Sequence, residues 1–414
     1  VFKMVTLSMA LEENVATEET TFTCTGSYVP VQGERAINCH NTSGHGTQTL
    51  VQGTMNSCNP FFIYLGQLLG TETFFDYFEA FGFTQKTGID LPGESQSIYH
   101  DRDMSLMDLA VESFGQNFSI TPIQMITACA AIANGGYLVQ PHVVSQIVDN
   151  DGNIIKTADT TVKRQVISEE TSKRVSKILQ ENATSGTAKN GYVAGYRIAG
   201  KTGTSEKVGA DGKVGSDNKY IASYCGFAPA DDPQYAVLVF FDEPTGDSYY
   251  GSAVAGPVFA KIMEEILPYL NVETKYTEDE AGSVGVSAPN VIGKTVSEAT
   301  NELTNSGLKI LVKGSGDTVI AQTPDPGSSV PSGGTVVVYT DEASMNQTVT
   351  VPNFTNRSLS DVNYLAAQAG LNIKVTGAYN SSAATARTQD YAAGEQIKPG
   401  TVITVNFVEE DTVR

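Results

Sequence analysis

The opening run VFKMVTLSMALEE is apolar on nearly every side, with Val1, Phe2, Met4, Val5, Leu7, Met9 and Leu11 leaving no wide polar face. Glu12, Glu13 and Asn14 end the run. The pattern predicts a buried helix rather than a frayed terminus, with Lys3 as the one charge inside it. Further on, Thr121 before Pro122 starts a second apolar helix and Gly135-Gly136 stops it. Ser168 caps a third, SEETSKRVSKILQEN, whose Ile178 and Leu179 mark the apolar side. Three strand-like runs follow, GYRIAG, KYIASYCGF and YAVLVFF, and then the helix AVAGPVFAKIMEEILPYL. Strands joined by turn-length links and closed by a helix predict an α+β domain over residues 1–270, an antiparallel sheet covered by helices.

The periodicity stops at 271–285, an acidic and polar stretch that reads as a linker. Beyond it come short strands, Pro and Gly turns, and an internal repeat. VSAPNVIGKTVSEATNELTNSGLKI is echoed by VTVPNFTNRSLSDVNYLAAQAGLNI, with Pro289 and Gly307 recurring 63 residues later as Pro352 and Gly370. Gln322 and Gly327 recur 67 residues later as Gln389 and Gly394. Two copies of one small α+β domain are therefore expected, at 286–342 and 347–410.

At 414 residues the chain exceeds one ordinary core, and 40% hydrophobic with 17% charged residues is a globular balance. The formal net charge of -20 argues against nucleic acid as a partner, because phosphate binding needs clustered Lys and Arg. No apolar run is long enough to span a membrane. Of the five cysteines, Cys129 and Cys225 sit in apolar segments and read as small core residues, whereas Cys24, Cys39 and Cys58 cluster.

Three short elements carry candidate chemistry: Lys3, Ser57-Cys58-Asn59 and Lys201-Thr202-Gly203-Thr204. Serine acyl transfer of the penicillin-recognising type needs a nucleophilic Ser one helical turn before a Lys, a Ser-x-Asn loop at a helix head, and a Lys-Thr-Gly strand. Ser and Lys at i and i+3 share a helix face, so an amine can take the hydroxyl proton. Here the serine would stand immediately before Val1. Pro60 and FFIYLGQLL place Ser57–Asn59 at a helix start, and Lys201 continues into a strand. Two decoys lack that context: Ser216-Asp217-Asn218-Lys219 lies in a glycine-rich turn, and Lys86-Thr87-Gly88 runs into the turn-rich TGIDLPGE.

FKMVTLSMALEE, MNSCNPFF, FGFTQKTGIDLPGE, SFGQNFSITPIQM and AGKTGTSE, in this order, resemble the transpeptidase domain of class B penicillin-binding proteins, and the two C-terminal copies resemble PASTA domains. The resemblance implies a penicillin-binding and β-lactamase-like fold and a D,D-transpeptidase that crosslinks peptidoglycan stem peptides and is acylated by β-lactams. It also implies a place on the extracytoplasmic face of a bacterial, Gram-positive membrane, an anchor ahead of Val1, and division or sporulation proteins as partners. By position, Lys3 would be the general base, Ser57 would relay a proton to the leaving D-Ala, and Asn59 would bind the peptide. Lys201 would supply positive potential, Thr202 and Thr204 would hold the substrate carboxylate, and the Thr204 N–H would form half of the oxyanion hole, with Gly203 allowing close approach. The rival readings are a D,D-carboxypeptidase or β-lactamase hydrolysing the same acyl-enzyme, and an inactive wall-binding scaffold. In the C-terminal copies no aromatic or basic cluster stands out, which favours a spacer or docking role.

Cys24, Cys39, His45 and Cys58 make a Cys₃His set in one polar, glycine-rich stretch, a composition suited to structural zinc. The resemblance adds that some class B members carry a metal site ending on the middle residue of the S-x-N loop, here Cys58. A Cys24–Cys39 disulfide, which an oxidising compartment permits, and free thiols are the alternatives.

Overall fold

In a computed structural model of the chain, residues 1–409 are described apart from 159, 208–214, 216, 247, 276–284, 332 and 378–382. The middle of the segment read as a linker, Ser216 of the first decoy and the last residue of the second copy lie outside the described residues. The chain divides into two compact units, Val1–Tyr192 with Arg197–Leu270, and Val193–Tyr196 with Asn271–Glu410.

The first unit is built around helix α1 (Lys3–Glu12), in which Met4 to Leu11 are each at most 1% exposed. A helix without a polar face must be surrounded, and α1 packs against α3 (Asn59–Ala80), α5 (Pro122–Ala133) and α6 (Glu169–Ser185). Phe2 heads it among Phe74, Phe78, Phe83 and Phe118, ring centroids 4.6–6.3 Å away. The shorter helices α2 (Leu50–Met55) and α4 (Leu106–Glu112) start, like α5, on capping boxes: Thr49 with Gln52, Ser105 with Asp108, and Thr121 with Gln124. Each box satisfies two orphan N–H groups and fixes where its helix begins.

The largest sheet of this unit among the described residues has three antiparallel strands, with Tyr220–Ala228 between Ala199–Glu206 and Tyr235–Asp242. Its register sets Cys225 opposite Lys201, Ser223 opposite Gly203 and Ala222 opposite Thr204. The first strand begins at Ala199, later than the run GYRIAG suggests, because Arg197 takes a left-handed φ of 48° that no strand accommodates. Helices α5, α6 and α7 (Gly251–Tyr269) pack on the sheet. Among the described residues no helix is long and apolar enough to cross a membrane.

The second unit holds the two repeats, each with its own apolar core. In the first, helix α8 (Val296–Asn305) leads into strand Lys309–Lys313, which runs parallel to Thr335–Tyr339, with Ala321–Thr323 antiparallel on the other side. In the second, helix α9 (Leu359–Gln368) leads into Asn372–Gly377, parallel to Val402–Val408, with Thr385–Gln389 antiparallel. The recurring glutamines do one job twice. Gln322 accepts the Val291 N–H and donates to the carbonyls of Pro289 and Pro324, and Gln389 accepts the Phe354 N–H and donates to those of Pro352 and Tyr391. Each amide thus pairs backbone groups of the segment leading to the helix, which has no ladder there to satisfy it.

Candidate active site

The S-x-N loop sits between α2 and α3. Cys58 is the N-cap of α3 and Pro60 occupies its first turn, so the chain turns sharply at Ser57, whose φ is 50°. A serine in that left-handed region is uncommon and persists only where its surroundings hold it. They do so from two sides. Lys3 Nζ, rising from the start of α1, donates to the Ser57 carbonyl at 3.1 Å, to Ser57 Oγ at 3.3 Å and to Asn59 Oδ1 at 2.7 Å. Lys201 Nζ, from the K-T-G strand, donates to the same Ser57 Oγ at 2.8 Å and to the Thr202 carbonyl at 3.3 Å.

Two amines therefore meet on one hydroxyl oxygen, one of them fully buried and the other half-buried. Lys201 is fully buried. Lys3 lies between the Phe62 and Phe114 rings, 5.8 Å from each centroid. Burial pulls the Lys3 ammonium down from 10.5 to about 8, against an opposing pull from Cys39 and Cys58. A lysine in that range is partly neutral near pH 7 and able to accept a proton. Sequence reading gives Phe114 no role, although SFGQ is one of the segments that carry the family resemblance; its place beside Lys3 depends on how α4 packs on α3.

The K-T-G strand forms the opposite wall. Val1 N lies 3.3 Å from the Thr202 carbonyl, and a Cβ on Gly203 would stand 2.5 Å from that nitrogen, so only glycine lets the two segments come this close. Thr202 is nearly buried and turns its hydroxyl toward Thr187 at 3.5 Å. Thr204 is exposed, and its Oγ1 accepts the Gly251 N–H at 3.1 Å, which leaves its own O–H to donate outward. The two decoys stay out of this arrangement: Lys86-Thr87-Gly88 lies in no strand, and the described part of the other is a turn before Tyr220.

Cys24, Cys39, His45 and Cys58 converge directly behind the loop, their donor atoms all within 4.8 Å of one another. Cys39 Sγ stands 3.6 Å from His45 Nδ1 and 4.0 Å from Cys58 Sγ. Bonds of about 2.3 Å to sulfur and about 2.0 Å to nitrogen give a tetrahedron with edges of roughly 3.5–3.8 Å, so the donor set fits a four-coordinate ion of the zinc type. All five cysteines are free, so Cys24 and Cys39 are not bridged. The hydrogen bond shared by Cys39 and Cys58 holds the Cys39 thiol well below the usual range and pushes the Cys58 thiol up. His40 reaches Cys39 Sγ at 3.8 Å from the solvent side and stands outside the four.

Comparison with known proteins shows the family. Residues 1–264 match the penicillin binding protein transpeptidase domain, and residues 286–342 and 349–409 match the PASTA domain. Stage V sporulation protein D of Bacillus subtilis is 39% identical over 350 residues, 82% of this chain and 53% of that protein. The peptidoglycan D,D-transpeptidase FtsI of Buchnera aphidicola is 31% identical over 274 residues, 66% of this chain and 45% of that protein. Among solved structures, penicillin binding protein 3 from Mycobacterium tuberculosis in complex with aztreonam is similar at a TM-score of 0.59 and 27% identity, over 66% of this chain and 62% of that one. The chain spans about half the length of the curated relatives it matches. It belongs to the penicillin-binding protein transpeptidase family, with two PASTA domains following the transpeptidase domain.

Proposed function

We propose that the first unit is the catalytic domain of a peptidoglycan D,D-transpeptidase working through a serine acyl-enzyme, with the nucleophilic serine at the position before Val1. The observation that carries this reading is the meeting of Lys3, Ser57, Asn59 and Lys201, drawn from three distant parts of the chain, on hydrogen bonds of 2.7–3.3 Å. The serine hydroxyl attacks the carbonyl of the penultimate D-Ala while neutral Lys3 takes its proton. The oxyanion that forms is met by the Thr204 N–H and the serine's own N–H. Collapse breaks the peptide bond, and Ser57 passes the proton from Lys3 to the departing D-Ala amine. An amine of a second stem peptide then attacks the acyl ester, releasing the serine and closing the crosslink. Asn59 holds the donor peptide, Lys201 supplies positive potential, and the exposed Thr204 hydroxyl takes the substrate carboxylate, with Thr202 deeper behind it. β-Lactams would acylate the same serine.

Cys24, Cys39, His45 and Cys58 are read as ligands of a structural Zn²⁺. Bound there, the ion would supply closure of the stretch behind the S-x-N loop and no chemical step, since Ser57 and Asn59 flank a ligand directly. The PASTA repeats are read as a spacer or docking element on the extracytoplasmic side of the membrane, in wall synthesis for sporulation or division. The deciding experiment is intact mass of the full-length protein after a labelled penicillin, followed by D-Ala release from a pentapeptide with and without an amine acceptor. A single adduct and transfer to the amine are expected. No adduct overturns the reading, and release that ignores the amine replaces transfer by hydrolysis. Metal analysis of protein purified without added zinc, with thiol titration, tests the metal.

A further inference from the structure

The two walls of the site, the S-x-N loop and the K-T-G strand, belong to different layers of the domain, yet Lys201 Nζ must stay 2.8 Å from Ser57 Oγ. One short segment touches both. After α6 ends, the Thr187 N–H donates at 2.9 Å to the carbonyl of Met55, the last residue of α2 and two positions before Ser57. That carbonyl is one of the last-turn acceptors an α-helix cannot pair internally, so Thr187 closes α2 from outside. The Thr187 hydroxyl accepts from Thr202 Oγ1 at 3.5 Å and donates to Asn182 Oδ1 at 3.4 Å. Asn182, fully buried on α6, donates its amide at 2.7 Å to the carbonyl of Gly200, the residue before Lys201. The chain of contacts returns to the strand it left. Gly186 is part of the device: a Cβ there would overlap Asn182 Oδ1, so only glycine lets Thr187 turn back onto that side chain.

We infer that Thr187, backed by Asn182, is a positioning residue that fixes the gap between the S-x-N loop and the K-T-G strand. The inference rests on the transpeptidase reading above for its catalytic consequence and on the hydrogen bonds alone for its structural one. Ser57 holds a sparsely populated backbone conformation and needs bracing. The Cys₃His cluster and Lys3 brace it from the α1 side, and Thr187 ties the end of α2 to the strand on the other. Loss of the Thr187 hydroxyl frees Thr202 and Asn182 from each other, and the Ser57–Lys201 distance is then set less tightly. A misplacement of that kind slows chemistry more than it weakens binding.

The test uses the full-length protein and Thr187→Val, which keeps the shape and the backbone N–H but removes the hydroxyl. The saturating rate of acylation by a fluorescent penicillin should fall tenfold or more, with the non-covalent dissociation constant within twofold of wild type. Hydrogen exchange in the peptide over residues 52–62 should speed up, and Thr187→Ser should restore both readouts. A wild-type rate with wild-type exchange overturns the inference, as does a rate that falls only in step with thermal stability. Where Thr187→Val fails to fold, Asn182→Ser gives the same two readouts. A wild-type protein that is never acylated defeats the transpeptidase reading, and the exchange comparison then decides the clasp by itself.

Discussion

The two units bury polar side chains for different ends. In the PASTA repeats the amides of Gln322 and Gln389 turn to backbone groups that the fold leaves without ladder partners. In the first unit Lys3, Ser57, Asn59 and Lys201 turn to one another. A buried amide that pairs backbone is something folding requires. Two amines placed on one half-buried hydroxyl are not, because desolvating a cation is costly. The difference separates a framework that only holds a shape from one that also sets reactive groups against one another, and it can be broken from either side.

The largest expected effect is at Lys3. Lys3→Met keeps the length of the side chain and removes the base, so acylation by penicillin should fall by about 10³-fold, within the range a positioned general base supplies. The melting temperature should change little, since an apolar side chain between Phe62 and Phe114 offsets the loss of the three bonds to Ser57 and Asn59. Acylation kinetics and a thermal melt on one sample check both halves. A variant that acylates normally would show that the contrast between the units says nothing about chemistry.

Next comes the cluster behind the loop. Removing the metal with a chelator, or replacing Cys39 by Ser, should lower acylation by about 10–100-fold through loss of bracing, with a matching loss of bound zinc in elemental analysis. Cys39 hydrogen-bonds to neither Ser57 nor Asn59, so a fall in rate would reach the site through Cys58 and the loop or through the pull of Cys39 on Lys3, and a pH profile of the variant separates the two. Metal-free protein that acylates at full rate would leave the four ligands as a packing feature.

Much of this site is readable in the sequence because each part is local. Lys3 stands alone in an apolar helix, Ser57–Asn59 precede a Pro-headed helix, Lys201–Thr204 sit in a strand, and three cysteines and a histidine crowd one polar stretch. What was not readable depends on distant packing. The left-handed φ of Ser57 follows from how α2 and α3 meet, the shielding of Lys3 by Phe114 follows from α4, and the late start of the K-T-G strand follows from the turn at Arg197. The repeat was visible through Pro289 and Gln322, but that these two residues bind each other appears only when the chain is folded.

The pH dependence gives a smaller but sharper measurement. Burial sets Lys3 at about 8, so it is mostly protonated at pH 7 and mostly neutral at pH 9. A base must be neutral to act, so the acylation rate should rise with pH through about 8, by about tenfold between pH 7 and 9. A profile flat across that interval would assign the proton to another group. The Thr187→Val variant should keep the midpoint, since it alters distance and not the burial of Lys3.

The smallest effect belongs to the repeats. Gln322→Leu leaves the Val291 N–H and two proline carbonyls inside the first repeat without their partner, at a cost of about 1–3 kcal/mol. Gln389→Leu should do the same in the second repeat through Phe354. Each repeat has its own core, so hydrogen exchange should speed up within 286–342 for the first variant and within 349–409 for the second, with the penicillin acylation rate unchanged in both. Among the described residues, the hydrogen bonds of the two glutamine amides go to backbone of their own repeat. An acylation rate that moved with Gln322 would mean that the repeats bear on catalysis after all, and the contrast between the two kinds of buried polar group would have to be redrawn.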